Sequence, residues 1–127
     1  HFISVKYAVF LNTGTSALEI AVKSLNLKKG DEIIVPCETF IATGMAVTSQ
    51  GGKVVFANIN PNTFCLDLSE IKKRVTKKTK AVMLVHFGGY MPFDAVEIKK
   101  YCKQKGIFLI EDCAHAIETE YKGQRER

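Results

Sequence analysis

The sequence lacks several features that would each indicate a different class of protein. It has no apolar run long enough to cross a bilayer and no signal-peptide pattern at its start. It contains neither G-x-G-x-x-G nor a Walker loop, which argues against dinucleotide and nucleoside triphosphate sites. None of its four cysteines forms a C-x-x-C pair, which argues against zinc and thioredoxin-type sites. They lie in or beside apolar segments, where a free cysteine packs as a small hydrophobic residue, and this fits a reducing cytoplasm. These cysteines are Cys37, Cys65, Cys102 and Cys113.

Both ends of the chain also lack something. Residue 1 is His rather than an initiator Met, and the last residues, Lys122–Arg127, complete no element. We therefore expect the 127 residues to be a single domain, or part of one, from a longer protein. Apolar residues make up 46% of the chain, which argues against disorder.

The net charge of +5 comes largely from one basic stretch. A nucleic-acid surface is one interpretation of this stretch, but no aromatic residue interleaves it to stack on a base. We favour the solvated face of a helix and the loop after it. The residues are Lys72, Lys73, Arg74, Lys77, Lys78 and Lys80.

Apolar runs alternate with stretches of helical periodicity along the whole chain. The predicted strands are Tyr7–Leu11, Glu32–Val35, Lys53–Ala57, Ala81–Val85 and Ile107–Ile110, with Ala116–Tyr121 as a further short extended piece. The predicted helices are Ala17–Leu25, Ile41–Gln50, Leu68–Val75 and one that begins with a capping box at Asp94 and Glu97 and ends at Gly106. This order predicts a three-layer α/β/α fold with a mainly parallel sheet.

The stretch around Glu111 and Asp112 organises this interpretation. Burying two unpaired carboxylates inside a strand would cost many kcal/mol, so we place them at its carboxyl end, where ligands bind in open α/β sheets. Asp112 as the cap of a following turn is an equally good interpretation. His115 lies three residues further on, but no third metal ligand and no nucleophile accompany it.

Three further polar clusters follow strands. Gly14, Thr15 and Ser16 could hold a phosphate at a helix start, or simply cap that helix. Phe40 could cover a flat ligand ring, although a core position is favoured on the sequence alone. His86 precedes two glycines, and a lone histidine is more often structural than catalytic.

Together these clusters resemble a known family, the DegT-type nucleotide-sugar aminotransferases, which are pyridoxal-phosphate enzymes of fold type I. Each motif is modest alone, but five in this order and spacing are specific, and they cover nearly the whole chain. The motifs are Asn12–Leu18, Gly30–Pro36, Thr39–Thr43, Val85–Gly89 and Glu111–Ala116.

The resemblance implies a role for each matching position. The Gly14–Ser16 segment would hold the phosphate of pyridoxal or pyridoxamine phosphate, and Phe40 would stack on the pyridine ring. Asp112 would pair with the pyridinium nitrogen, and His115 would hydrogen-bond the 3′-oxygen. The resemblance gives His86 no role.

The resemblance also implies what the 127 residues do not contain. The lysine that forms the Schiff base is expected downstream of Arg127, and the N-terminal extension and small C-terminal domain are expected to be absent. We therefore expect part of the large cofactor domain, inactive alone. The full-length protein is expected to be a cytoplasmic homodimer.

The implied reaction transfers an amino group from an amino acid, expected to be glutamate, to a keto nucleotide-sugar. Its products would serve polysaccharide, glycan or antibiotic synthesis. Three alternatives stay open: a pyridoxamine-dependent sugar dehydratase on the same fold, a non-catalytic α/β binding or regulatory module, and a Rossmann-like dehydrogenase, which the absent glycine fingerprint disfavours.

Overall fold

The computed structural model describes residues 6–116, 120–121 and 124–125. Helices and strands alternate along the chain, as the sequence predicts. The helices are α1 Gly14–Ser24, α2 Ala42–Ser49, α3 Leu68–Arg74 and α4 Ala95–Lys105. The strands are β1 Glu32–Pro36, β2 Lys53–Ala57, β3 Thr79–Val85, β4 Phe108–Asp112, β5 Glu120–Tyr121 and β6 Gln124–Arg125.

The first four strands form one parallel sheet in the order β2-β1-β3-β4, while β5 and β6 pair antiparallel. The chain runs outward from β1 to β2 and then crosses back to add β3 and β4 on the other side of β1. This reversal creates a crevice at the carboxyl ends of the strands, which is where ligands bind in open α/β sheets. Val85 and Asp112 are register partners at that edge.

Alternate residues of the two central strands supply opposite faces of the sheet. Ile33 and Met83 pack with residues of α1 and α2 in one buried cluster. Ile34 and Leu84 pack with residues of α3 and α4 in a second cluster on the other face. Both faces are therefore covered, which explains the near-continuous apolar runs. The predicted three-layer α/β/α fold with a mainly parallel sheet is confirmed.

The helix ends follow from short polar side chains and one glycine. Thr13 caps α1 by accepting a hydrogen bond from the Ser16 amide at 3.0 Å, and Gly106 ends α4 in the left-handed conformation. The capping box predicted at Asp94 is wrong. Its carboxylate makes no cap on its own helix and instead accepts from the amide of Leu68, the first residue of α3, at 2.8 Å.

The predicted first strand, Tyr7–Leu11, is also wrong. The structure gives this stretch no regular element, and Phe10 is 100% exposed. Local β-propensity cannot form a strand without a partner, and none of the described strands pairs with these residues. Of the predicted extended piece Ala116–Tyr121, residues 117–119 lie outside the described part, and its end forms β5.

The amino edge of the sheet carries a paired carboxylate. The buried Glu32 accepts hydrogen bonds from the Thr76 hydroxyl at 2.6 Å and from the Lys53 ammonium at 3.1 Å. The Thr76 bond, followed by the Lys53 bond, holds the pKa of the Glu32 carboxyl below its ordinary value. This network ties the starts of β1 and β2 to the loop before β3, away from the carboxyl edge.

Five of the six basic residues lie on α3 or in the loop after it, the sixth, Lys80, lies in β3, and all six are exposed. This agrees with the prediction of a solvated face. Within the described residues, no helix has the length and apolar character needed to span a membrane.

Candidate cofactor site

A cavity of about 230 Å³ lies at the carboxyl edge of the sheet. It is bounded by the start of α1, the loop before α2, the end of β3 and the segment after β4. The lining residues are Gly14, Thr15, Leu18, Thr39, Phe40, Ala42, Val85, Phe87, Asp112, Ala114 and His115. Five of the six predicted cofactor-binding residues are thus brought together from three distant parts of the chain.

The start of α1 contributes Gly14 and Thr15 to the cavity. Amides in the first turn of a helix have no partner within the helix. The Thr13 hydroxyl accepts a hydrogen bond from the Ser16 amide and donates one to the Ser16 hydroxyl, each at 3.0 Å. The amides of Gly14 and Thr15 and the Thr15 hydroxyl are therefore the groups available to an anion here. Ser16, the sixth predicted residue, is not part of the lining.

Phe40 precedes α2 and lies on one wall of the cavity. Its side chain is 72% exposed, so the core position favoured by the sequence alone is wrong. An aromatic ring with this much free surface offers a platform for a flat ligand. Thr39 lines the cavity beside it, with its hydroxyl 2.7 Å from that of Thr43.

Asp112 is the last residue of β4, so the strand extends through both acids rather than ending before them. Its Oδ1 accepts a hydrogen bond from the Ala114 amide at 3.1 Å. The carboxylate therefore does cap the following turn, as one interpretation of the sequence held, and it also lines the cavity. The bond to Ala114 engages one oxygen and leaves Oδ2 available to a ligand.

His115 lines the cavity close to Asp112. Its Nδ1 accepts a hydrogen bond from the amide of Gly88 at 3.2 Å. The ring of Phe87 packs edge-on against the imidazole, with centroids 5.6 Å apart and planes at 70°. The ring of His115 is thus held on one side by an amide and on another by an aromatic ring.

His86 is fully buried and is not part of the cavity lining. Its Nε2 lies 3.2 Å from Glu111 Oε2, and its backbone amide donates to the carbonyl of Asp112 at 3.1 Å. The 3-10 turn Phe87–Gly89 follows directly. His86 therefore contacts the strand that carries Asp112 rather than the cavity itself.

The sequence interpretation assigned no role to several apolar members of the lining, such as Leu18, Val85, Phe87 and Ala114. The sequence did indicate their location, since each lies close to one of the polar clusters, but it did not indicate that they line a cavity. Apolar residues in such positions serve a packed interior as readily as a ligand wall.

The lining suits a flat, anionic ring ligand. An apolar cavity of about 150 Å³ is enough to hold benzene, so about 230 Å³ accommodates a single substituted ring. One end offers helix amides for a phosphate, one wall offers Phe40, and Asp112 offers a carboxylate for a protonated ring nitrogen. Within the described residues, no cluster of three or more metal-ligating side chains occurs.

Comparison with known proteins places this fold among the fold-type-I pyridoxal-phosphate-dependent aminotransferases. An aminotransferase from Psychrobacter cryohalolentis superposes with a TM-score of 0.91 at 35% identity, covering 98% of this chain and 31% of that one. A GDP-4-keto-6-deoxymannose-3-dehydratase, solved with a trapped PLP-glutamate geminal diamine, superposes with a TM-score of 0.88 at 31% identity, covering 98% and 34%.

The sequence relationship is equally extensive. GDP-perosamine synthase of Escherichia coli O157:H7 is 39% identical over 120 residues, which are 94% of this chain and 33% of the relative. The model of the DegT/DnrJ/EryC1/StrS aminotransferase family matches residues 1–126, and the chain belongs to that family. The resemblance found in the sequence is confirmed. The chain spans about a third of the length of the curated relatives it matches.

Proposed function

We propose that the whole protein is a pyridoxal-phosphate-dependent aminotransferase. It takes an amino group from an amino acid, glutamate, and transfers it to the keto group of a nucleotide-linked sugar, for polysaccharide, glycan or antibiotic-sugar synthesis. The observation that carries this proposal is the single cavity that combines a helix start, an exposed aromatic wall, a carboxylate and an imidazole. Membership of an aminotransferase family supports pyridoxal phosphate as the ligand of this cavity.

The residues of the cavity divide the work of holding the cofactor. The amides of Gly14 and Thr15 and the Thr15 hydroxyl bind the phosphate, with Ser16 supporting the turn through Thr13. Phe40 covers one face of the ring and fixes its plane. These contacts orient the ring, because its phosphate end and its face are both held.

Asp112 and His115 address the polar atoms of the ring. Asp112, ionised, keeps a proton on the ring nitrogen, and His115 hydrogen-bonds the 3′-oxygen. Bound and protonated in this way, the cofactor supplies an electron sink that stabilises negative charge on the substrate carbon. The carboxylate must stay in place for this, and the Ala114 amide at 3.1 Å restrains it.

We further propose that the lysine that forms the Schiff base and the small domain belong to sequence beyond Arg127. The matched residues make up 33% of the length of the Escherichia coli GDP-perosamine synthase, which leaves room for both in a longer protein. On this basis the 127 residues alone do not transaminate, and the full-length protein acts as a cytoplasmic homodimer. A single-turnover assay in which the 127-residue chain transferred an amino group would contradict this part of the proposal.

A second candidate function is a pyridoxamine-dependent nucleotide-sugar dehydratase. The superposition on the GDP-4-keto-6-deoxymannose-3-dehydratase favours it, because that enzyme shares the fold that forms this cavity. The family resemblance implies that such a dehydratase would have a histidine in place of the Schiff-base lysine. The residue expected to separate the two functions belongs to the sequence proposed to follow Arg127.

Borohydride trapping in the full-length protein tests the proposal. Pyridoxal phosphate is added, the visible spectrum is recorded, and the reduced protein is digested to map any labelled lysine. A labelled lysine downstream of Asp112, with amino transfer from glutamate to a keto nucleotide-sugar, is the expected result. Retained pyridoxamine phosphate without a labelled lysine would identify the dehydratase. Binding of neither cofactor form would overturn both and leave a non-catalytic module.

A further inference from the structure

The turn after β3 contacts both Asp112 and His115, two residues that line the cofactor cavity. Its first residue, His86, donates its backbone amide to the carbonyl of Asp112 at 3.1 Å and places its buried ring against Glu111. Two residues later, the amide of Gly88 donates to His115 Nδ1 at 3.2 Å. One short segment therefore holds both ends of the Asp112–His115 stretch.

The hydrogen bond from Gly88 decides which nitrogen of His115 carries a hydrogen. An amide N–H is only a donor, so Nδ1 must offer its lone pair. A hydrogen on Nδ1 would set two donors against each other with no acceptor between them. In a neutral imidazole the hydrogen must then be on Nε2, because the bond made by one ring nitrogen fixes the state of the other.

The geometry of the turn explains how the Gly88 amide reaches the imidazole. Gly88 has φ 62° and ψ 16°, in the left-handed region that glycine adopts without strain. The turn is closed by a bond from the Gly89 amide to the His86 carbonyl at 3.1 Å. The bond from His86 to β4 fixes where the turn begins. The ring of Phe87 packs against the imidazole of His115, which also accepts the bond from the Gly88 amide.

We propose that the His86–Gly89 turn is the positioning element of the cofactor site, and that the Gly88 amide holds His115 in the tautomer with its hydrogen on Nε2. His115 then presents a donor, not an acceptor, to an oxygen in the cavity. This deepens the proposed function, since the 3′-oxygen of pyridoxal phosphate is such an acceptor. Gly88 contributes only its backbone and is a positioning residue.

Nitrogen NMR of the full-length protein without cofactor tests the tautomer directly. With histidine and glycine labelled by ¹⁵N, long-range proton–nitrogen correlations at alkaline pH identify the nitrogen that carries the hydrogen. The signals of His115 are assigned by their loss in His115→Gln. We expect the hydrogen on Nε2 and a scalar coupling across the hydrogen bond between the Gly88 amide nitrogen and Nδ1. A hydrogen on Nδ1, or absence of that coupling, would overturn the proposal.

Two variants separate the amide's role from a general effect on folding. Both variants keep the backbone amide: Gly88→Ala strains the left-handed turn and so displaces the amide, whereas Gly88→Asn introduces a residue that tolerates this conformation. We expect Gly88→Ala to give mixed His115 tautomers and to bind pyridoxamine phosphate about three- to tenfold more weakly, the loss of one hydrogen bond. Gly88→Asn should restore both. A folded Gly88→Ala protein that keeps the wild-type tautomer but has lost the coupling to Nδ1 would contradict the assignment.

The two proposals fail in distinguishable ways. If the full-length protein binds no cofactor but shows His115 with its hydrogen on Nε2 and the coupling to Gly88, the proposed function fails, and the assignment of the Gly88 bond and of the His115 tautomer stands. If cofactor binds and the coupling is absent, the turn proposal fails and the function stands.

Discussion

Replacement of Phe40 by alanine tests whether this ring forms a wall for the cofactor or a part of the core. The side chain is 72% exposed, so its removal deletes little buried surface from the protein without cofactor. Surface substitutions of this kind change the free energy of unfolding by no more than about 0.5 kcal/mol. We therefore expect the unfolding midpoint of the cofactor-free protein to stay close to wild type.

The effect on cofactor affinity should be much larger. An aromatic pair contributes about 0.5–1.5 kcal/mol beyond its area. Loss of about 40 Å² of ring-face contact adds about 1 kcal/mol. The sum of about 1.5–2.5 kcal/mol corresponds to a dissociation constant for pyridoxamine phosphate about 10- to 70-fold higher.

Fluorescence or absorbance titration of the full-length protein with pyridoxamine phosphate measures this change. Phe40→Tyr keeps the ring and should bind within about threefold of wild type. Phe108→Ala is the matched control, because Phe108 is 61% exposed at the first residue of β4, at the opposite edge of the sheet. Unchanged affinity in Phe40→Ala, or a large loss of stability in it, would refute the stacking role.

Three further predictions address charge and packing. Asp112→Asn in the full-length protein should keep its circular dichroism spectrum but lose turnover by about a hundredfold, as when one preorganised electrostatic group is removed; unchanged turnover would contradict the ring-nitrogen assignment. The pKa of Glu32 is lowered in the folded protein. The ionised Glu32 side chain therefore stabilises the fold at pH values above its ordinary pKa of about 4.5, and this stabilisation is lost as the pH falls below that value. Glu32→Gln should therefore flatten the acid limb of the unfolding free energy measured by urea titration, and an identical pH slope would refute the Thr76 and Lys53 contacts. Ile98→Ala, at a fully buried position of α4, should cost about 2–5 kcal/mol in chemical denaturation. Val96→Ala, 60% exposed on the same helix, should cost no more than about 0.5 kcal/mol, and equal losses would contradict the described packing.

The sequence predicted the features of the fold that depend on local pattern. The apolar runs around Ile34 and Met83 identified the two central strands, and alternate residues of each do face opposite layers. Gly106 correctly indicated the end of α4. In each case the physical cause lies within a few residues, so a single sequence contains it.

The errors arose where the cause is distant along the chain. Asp94 was predicted to cap its own helix, but its carboxylate meets the amide of Leu68 from another helix. Tyr7–Leu11 has strand propensity but no partner among the described strands. Whether an apolar segment pairs or a carboxylate caps depends on which elements become neighbours, and the fold decides this.

The candidate site shows the same division. Residue type and position after a strand were enough to single out Asp112, His115 and Phe40. The exposure of Phe40 and the bond between Gly88 and His115 were not predictable, because the latter joins residues 27 positions apart through a left-handed turn. The family resemblance implied the roles, and the structure shows where these residues lie and what they contact.

The central claim is that Asp112 meets the ring nitrogen of a pyridoxal-type cofactor in this cavity. The most direct measurement uses pyridoxal phosphate labelled with ¹⁵N in the ring, bound to the full-length protein and observed by NMR at neutral pH. We expect the bound ring nitrogen to carry a proton in the wild-type protein and to lose it in Asp112→Asn. A ring nitrogen with the same protonation in both proteins would contradict the account.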